Sequence, residues 1–129
     1  MARIHGVHET VLYASDVPAL VAFYADVVGL TAIDPPDAHS AAFRLEDGNV
    51  LLVFDSSRTS EPGRFVPVHG TTGQGHLAFK VDDLESFARV LRAHDVEIER
   101  EISWPKGGRS VYFRDPAGNS VEYVEGEIW

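Results

Sequence analysis

A chain of 129 residues, 44% hydrophobic and 24% charged, has the size and composition of about one globular domain and excludes a disordered or fibrous protein. Its net charge of −9, from 20 acids against 11 bases, repels a phosphate backbone and excludes nucleic acid as a partner; it suits a soluble surface or a cationic small molecule. With no cysteine, no apolar run near the ~20 residues of a membrane span and no signal-peptide core, the chain is expected in the cytoplasm, with no membrane partner and any metal held by nitrogen and oxygen.

Val7 to Ala14 reads as a strand. Ser15-Asp16 then offers a helix cap, Leu20, Val21, Tyr24 and Val27-Val28 follow at helical spacing, and Gly29 is placed to end the helix. A short strand is expected around Leu30–Asp34. Ala41–Glu46 then turns at Asp47-Gly48-Asn49 into Val50–Phe54, a hairpin signal because glycine and asparagine tolerate positive φ. Residues 55–74, rich in Ser, Thr, Pro and Gly, read as a crossing connection in which His69 is the residue to watch.

The second half repeats this plan. His76–Val81 is a strand, Asp82-Asp83 a cap, and Leu84, Phe87, Ala88 and Leu91 mark an amphipathic helix ending near His94-Asp95. A strand over Val96–Ile102 precedes the hairpin of Ser110–Arg114 and Ser120–Val124, which turns at Ala117-Gly118-Asn119. The expectation is an α+β fold of two tandem βαβββ modules. The first spans about 7–54 and the second about 75–125, and together they form a single domain over 1–129. Gly107-Gly108 suggests a mobile loop.

Alternation along strands sorts the side chains. If Leu12 packs on a helix, Glu9, Val11 and Tyr13 share the opposite face; by the same rule His76, Glu122, Ser110 and Tyr112 point away from the second helix. His8 replaces Glu9 if the first strand slips by one residue. Unpaired carboxylates on a partly buried face cost several kcal/mol, and two of them beside an imidazole become favourable when a divalent cation sits between them. Aligning the strand-to-helix units matches Glu9 with His76, and aligning Gly48 with Gly118 matches Leu52 with Glu122. One of four symmetric positions is therefore leucine, which predicts three protein ligands, Glu9, His76 and Glu122, with open coordination positions.

Leu12-Tyr-Ala-Ser-Asp-Val17, Ala22-Phe-Tyr-Ala-Asp-Val-Val-Gly-Leu30, Gly75-His-Leu-Ala-Phe79 and Asp115-Pro-Ala-Gly-Asn-Ser-Val-Glu122 occur in an order and spacing that resembles the vicinal-oxygen-chelate superfamily. That group includes glyoxalase I, extradiol dioxygenases, fosfomycin-resistance thiol transferases and bleomycin-binding proteins. The resemblance implies a cupped half-barrel of mixed sheet with helices outside, closed within one chain or by exchange between subunits, and commonly a homodimer. It places the first ligand on Glu9, the second-module histidine on His76 and the terminal glutamate on Glu122. Leu52 stands where glyoxalase I has a further acidic ligand. One histidine with two carboxylates favours hard ions such as Mn or Mg, with Fe, Ni or Zn as alternatives.

The implied activity is divalent-metal-dependent chemistry of lyase, isomerase or dioxygenase type. A small-molecule substrate chelates through two oxygens and is stabilised as an enolate or alkoxide. Glu122 is the candidate to move a proton and Tyr112 to donate to an oxygen. Val11, Tyr13, Ser110 and Tyr112 are the candidate substrate contacts, with Arg109 as an anion anchor. The alternative is a drug- or metabolite-binding resistance protein of bleomycin-resistance type that performs no chemistry.

Overall fold

The computed structural model describes residues 2–71 and 74–129. The chain divides into two compact units, about 1–72 and 73–129. Residues 72 and 73, at the end of the expected connection, lie outside the described residues.

The first unit runs β1 (Glu9–Tyr13), α1 (Val17–Ala22), a π-helical segment (Phe23–Val28), β2 (Thr31–Ala32), β3 (Ser40–Arg44), β4 (Val50–Phe54) and α2 (Ser56–Thr59). The second runs β5 (His76–Lys80), α3 (Leu84–Ala93), β6 (Arg100–Ser103), β7 (Arg109–Arg114) and β8 (Ser120–Glu125). Each holds a four-stranded mixed sheet of the same topology, β1-β4-β3-β2 and β5-β8-β7-β6. The β1/β4 and β5/β8 pairs are parallel and the others antiparallel. This is the α+β class expected, written twice.

Each sheet buries one face under its own helix. In the first unit Leu12, Val17, Leu20, Tyr24, Phe43, Leu51 and Val53 are buried, and in the second Leu84, Ala88, Leu91, Val111, Phe113, Val121 and Tyr123. The ring of Tyr123 packs edge-on against Phe87 of α3 and beside Phe113 of β7. Each of the larger aliphatic and phenylalanine side chains stabilises the fold by about 1.5–3 kcal/mol when fully removed from water. Helix starts follow the sequence: the Asp16 carboxylate accepts from Ala19 N at 3.1 Å, and Asp83 accepts from Ser86 N at 3.2 Å.

The repeat extends to the hairpin turns. Gly48 and Gly118 have φ of 89° and 84°, which glycine adopts at no steric cost. Arg44 Nη1 donates to the Gly48 carbonyl, and Arg114 Nη1 to the Gly118 carbonyl, each at 3.1 Å.

Two elements differ from the sequence expectation. The strand expected from Val96 begins at Arg100, because the intervening chain first closes α3: Asp95 is left-handed at φ 56°, and Val96 N donates back to Leu91 O at 2.9 Å. The segment after β4 is more than a crossing. Asp55 caps the short α2, Thr59 is buried, and His69 N returns to Thr59 O at 3.0 Å.

The β6–β7 loop is pinned in place. Trp104 N donates to Gly108 O at 2.8 Å, Gly107 N to Trp104 O at 3.0 Å, and Gly108 N to Glu127 O at 2.9 Å. Gly108 is buried against the C-terminal segment, where an added Cβ would lie 2.4 Å from Glu127 O and 2.7 Å from the Ile128 side chain. Gly108→Ala is therefore expected to destabilise the protein by about 1–3 kcal/mol, measured as a lower urea midpoint at unchanged slope; an unchanged midpoint would refute this packing.

Candidate functional site

The helix-free face of the second sheet gathers the polar side chains. Strand β8 brings Glu122 opposite Tyr112 of β7 and beside Ala78 of β5, and Ser120 beside His76. Glu122 is 4% exposed, and a carboxylate at that depth is tolerated only when its oxygens are bonded. Its Oε2 accepts from Ser110 Oγ at 2.5 Å, and the Tyr112 phenol lies near enough to feel its charge. Its Oε1 lies 3.3 Å from His76 Nε2.

His76 is oriented from behind. Its Nδ1 lies 3.0 Å from the Ser120 carbonyl oxygen; a carbonyl only accepts, so Nδ1 carries a proton, and Nε2 faces Glu122 with a lone pair in the neutral imidazole or with a second N–H in the imidazolium. The Asp115–Asn119 turn fixes the strand end. Asn119 Nδ2 donates to Asp115 Oδ2 at 2.9 Å, while Asn119 Oδ1 accepts from Gly75 N at 2.8 Å, one residue before His76. The Tyr112 ring stacks on the imidazole at 6.3 Å and 24°. Burial, and after it the Glu122 carboxylate and its charge, hold the Tyr112 phenol above its ordinary range, against an opposing contribution from Ser110.

Arg109 faces the other way. Its guanidinium bridges Glu85 of α3 at 3.2 Å and Glu125 at 3.4 Å, on the helix-covered side of β7, opposite Ser110. Arg114 pairs with Glu99 at 2.7 Å. The anion-anchor expectation thus falls on a cation already neutralised by two carboxylates.

In the first unit, Glu9 is exposed at the start of β1, with Val50 as its register partner, and His8 precedes the strand. Val11 and Tyr13 share Glu9's face. Tyr13 Oη and His69 Nδ1 hydrogen-bond at 2.5 Å, and the Phe54 ring stands edge-on to the same imidazole. Strand register makes the two units directly comparable: Val11 pairs with Leu52 as Ala78 pairs with Glu122, and Ala42 pairs with Leu52 as Tyr112 pairs with Glu122. Leu52 and Ala42 are the counterparts of Glu122 and Tyr112. Among the described residues no group of three His, Cys, Asp or Glu side chains forms a metal cluster.

One member of the second-unit network was not foreseen. Trp104 Nε1 donates to Ser110 Oγ at 2.8 Å. The signal was available: Ile102 pairs with Ser110 across the β6–β7 ladder, and continuing the alternation by two residues puts Trp104 on the face of Ser110.

The donor set fits a divalent cation. Two ligands held about 2.0–2.2 Å from one ion sit roughly 3–3.5 Å apart, the spacing of His76 Nε2 and Glu122 Oε1. The backbone carbonyl behind Nδ1 is the partner that metal-bound imidazoles ordinarily have.

Residues 6–123 match the Glyoxalase/Bleomycin resistance protein/Dioxygenase superfamily. The chain belongs to this superfamily. It is 30% identical over 123 residues to a lactoylglutathione lyase of Haemophilus influenzae, covering 90% of this chain and 89% of that protein. The crystal structure of lactoylglutathione lyase from Agrobacterium tumefaciens is similar with a TM-score of 0.91 and 38% identity, over 98% of both chains. Biphenyl-2,3-diol 1,2-dioxygenase 3 of Rhodococcus globerulus is 29% identical over 116 residues, which are 87% of this chain and 58% of that protein.

The environment of Tyr112 gives a direct readout. Its ionisation is expected above the ordinary phenol value of about 10, so an ultraviolet titration of tyrosinate should lose a late, high-pH step in Tyr112→Phe. A step lost at or below the ordinary value would contradict the contact with Glu122.

Proposed function

We propose that this superfamily member is a metal-dependent lyase or isomerase acting on a small molecule with two neighbouring oxygens. His76 and Glu122 are metal ligands in this reading, and Glu9, taken from the sequence pattern, is the third. The observation that carries it is the approach of His76 Nε2 to the buried Glu122 Oε1 at 3.3 Å, a nitrogen and an oxygen donor at the spacing of two ligands on one ion, and with a neutral imidazole the pair is favourable only when a proton or a metal cation joins it. A bound divalent ion supplies Lewis-acid polarisation of substrate oxygens and offsets negative charge developing on them.

The chain's own residues do the rest. Tyr112, whose phenol stays protonated well into the alkaline range, donates a hydrogen bond to the oxygen on which charge develops. Glu122, whose Oε2 is held by Ser110, would move a proton between substrate atoms on Oε1 when that oxygen is not bound to the ion. Val11 and Tyr13, taken from the sequence pattern, are further substrate contacts, whereas Ser110, also expected to touch substrate, is buried and spends its hydroxyl on Glu122. Lactoylglutathione lyases among the relatives, including those at 30% and 38% identity, support the lyase class ahead of oxygenase chemistry. The superfamily resemblance also supports a homodimer in solution.

Metal analysis of the purified protein is expected to find about one divalent ion per chain. His76→Ala and Glu122→Gln should each weaken binding at least tenfold, and Glu9→Gln should weaken it measurably, all with an intact fold by circular dichroism. The loaded protein should process lactoylglutathione or a related hydroxyacyl thioester and leave biphenyl-2,3-diol untouched. Undiminished metal in His76→Ala removes the proposed site; a metal-free protein that binds small molecules without turnover replaces the enzyme by a binding module.

A further inference from the structure

We propose that Trp104 is a positioning residue for Glu122, acting through Ser110. The inference rests on the reading of Glu122 as the working carboxylate of the site, and it concerns what sets that carboxylate's orientation.

The chemistry of the chain of bonds gives it a direction. An indole N–H only donates, so at 2.8 Å the Ser110 oxygen must accept from Trp104. The single hydroxyl proton of Ser110 is then free of that contact and points to Glu122 Oε2 at 2.5 Å. Oε2 is thereby occupied, and Oε1 is the oxygen turned to His76 Nε2. Without the indole, the Ser110 hydroxyl loses the donor that fixes its lone pairs, and the carboxylate loses the partner that selects which oxygen faces the imidazole.

Trp104 is itself held from both sides. Its amide and carbonyl close the turn on Gly108 and Gly107, and Gly108 is tied in turn to Glu127 O at 2.9 Å. Gly108 has no room for a side chain against that segment. The C-terminal segment therefore secures the loop, the loop places the indole, and the indole orients the serine that orients Glu122. Partners behind a ligand of this kind change metal affinity by about 10- to 100-fold when removed.

The test uses the full chain and Mn2+ as the probe. Trp104→Phe keeps an aromatic ring and removes the N–H; it is expected to weaken Mn2+ binding about tenfold with an unchanged urea midpoint. Ser110→Ala should weaken Mn2+ binding by a similar factor while lowering the urea midpoint, because Glu122 Oε2 loses a buried donor, and the double variant should bind Mn2+ no more weakly than Ser110→Ala alone, because both act on one bond chain. Losses that add, or Trp104→Phe binding Mn2+ as tightly as the wild type, would overturn the inference.

A metal-independent arm separates it from the site reading. The chain has 2 tryptophans, and Trp129 is exposed, so Trp129→Phe leaves Trp104 as the sole indole. In metal-free protein its N–H resonance should be protected from exchange and should shift in both Ser110→Ala and Glu122→Gln. An indole signal indifferent to both changes refutes the relay even if Mn2+ binds, whereas a coupled indole in a protein that takes no Mn2+ refutes only the metal reading.

Discussion

The second unit is organised around one buried carboxylate. Glu122 lies within the sheet at 4% exposure, where an unbonded charge costs several kcal/mol. Ser110 from β7 meets that cost directly, with Trp104 one bond further out, and His76 from β5 meets it once a proton or a metal ion sits between Nε2 and Oε1. The face under α3 asks nothing similar of the sequence, because Val121 and Tyr123, on either side of Glu122, pack among aliphatic and aromatic side chains. Alternation along a single strand thus separates the residues that hold the fold from those that hold the site.

The internal repeat shows what is fold and what is chemistry. Both units keep the strand order, the capped helix and the hairpin in which an arginine donates to the glycine carbonyl. Where the second unit has Glu122 and Tyr112, the first has Leu52 and Ala42 in the same register. The scaffold is indifferent to this exchange because those positions sit on the face the helix does not cover. In the first unit that face carries an aromatic cluster instead, with His69 folded back onto Tyr13 and Phe54.

Most of the architecture was legible because it rests on local rules. Asp-Gly and Gly-Asn turns, Asp caps and period-two burial located the strands, the helices and the facing of His76, Ser110, Tyr112 and Glu122. The Val96 start of a strand was misread because the same residue also completes the C-terminus of α3, and periodicity does not reveal a left-handed Asp95. Trp104 was missed because the Trp-Pro-Lys-Gly-Gly stretch carries turn composition, although its first residue still obeys the alternation of β6. The pairing of Arg109 with Glu85 and Glu125 depends on which face of β7 it occupies, a fact parity supplied but charge complementarity obscured. The return of His69 to Tyr13 has no sequence signal, since loop closure over 56 residues of separation leaves no local pattern.

The asymmetry between His76 and Glu122 bears on how the site communicates with solvent. The imidazole side chain is 53% exposed and its carboxylate partner 5%. Ala78, the register neighbour of Glu122 on β5, is exposed and contributes only a methyl group, so that strand places no bulk over Oε1. The carboxylate is therefore closed from the Ser110 and Trp104 side and open toward the imidazole. A proton or an ion arriving from water meets Nε2 first, and only then the charge behind it. A buried acid fixed by neutral donors, approached through a half-exposed base whose far nitrogen is tied to the backbone, resists collapse of the pair onto itself. The Ser120 carbonyl fixes the imidazole and Ser110 fixes the carboxylate, so neither can turn away to relieve the opposed lone pairs. With the imidazole neutral, either a proton on Nε2 or a metal ion between the two relieves that opposition, and both reach the pair through the half-exposed imidazole.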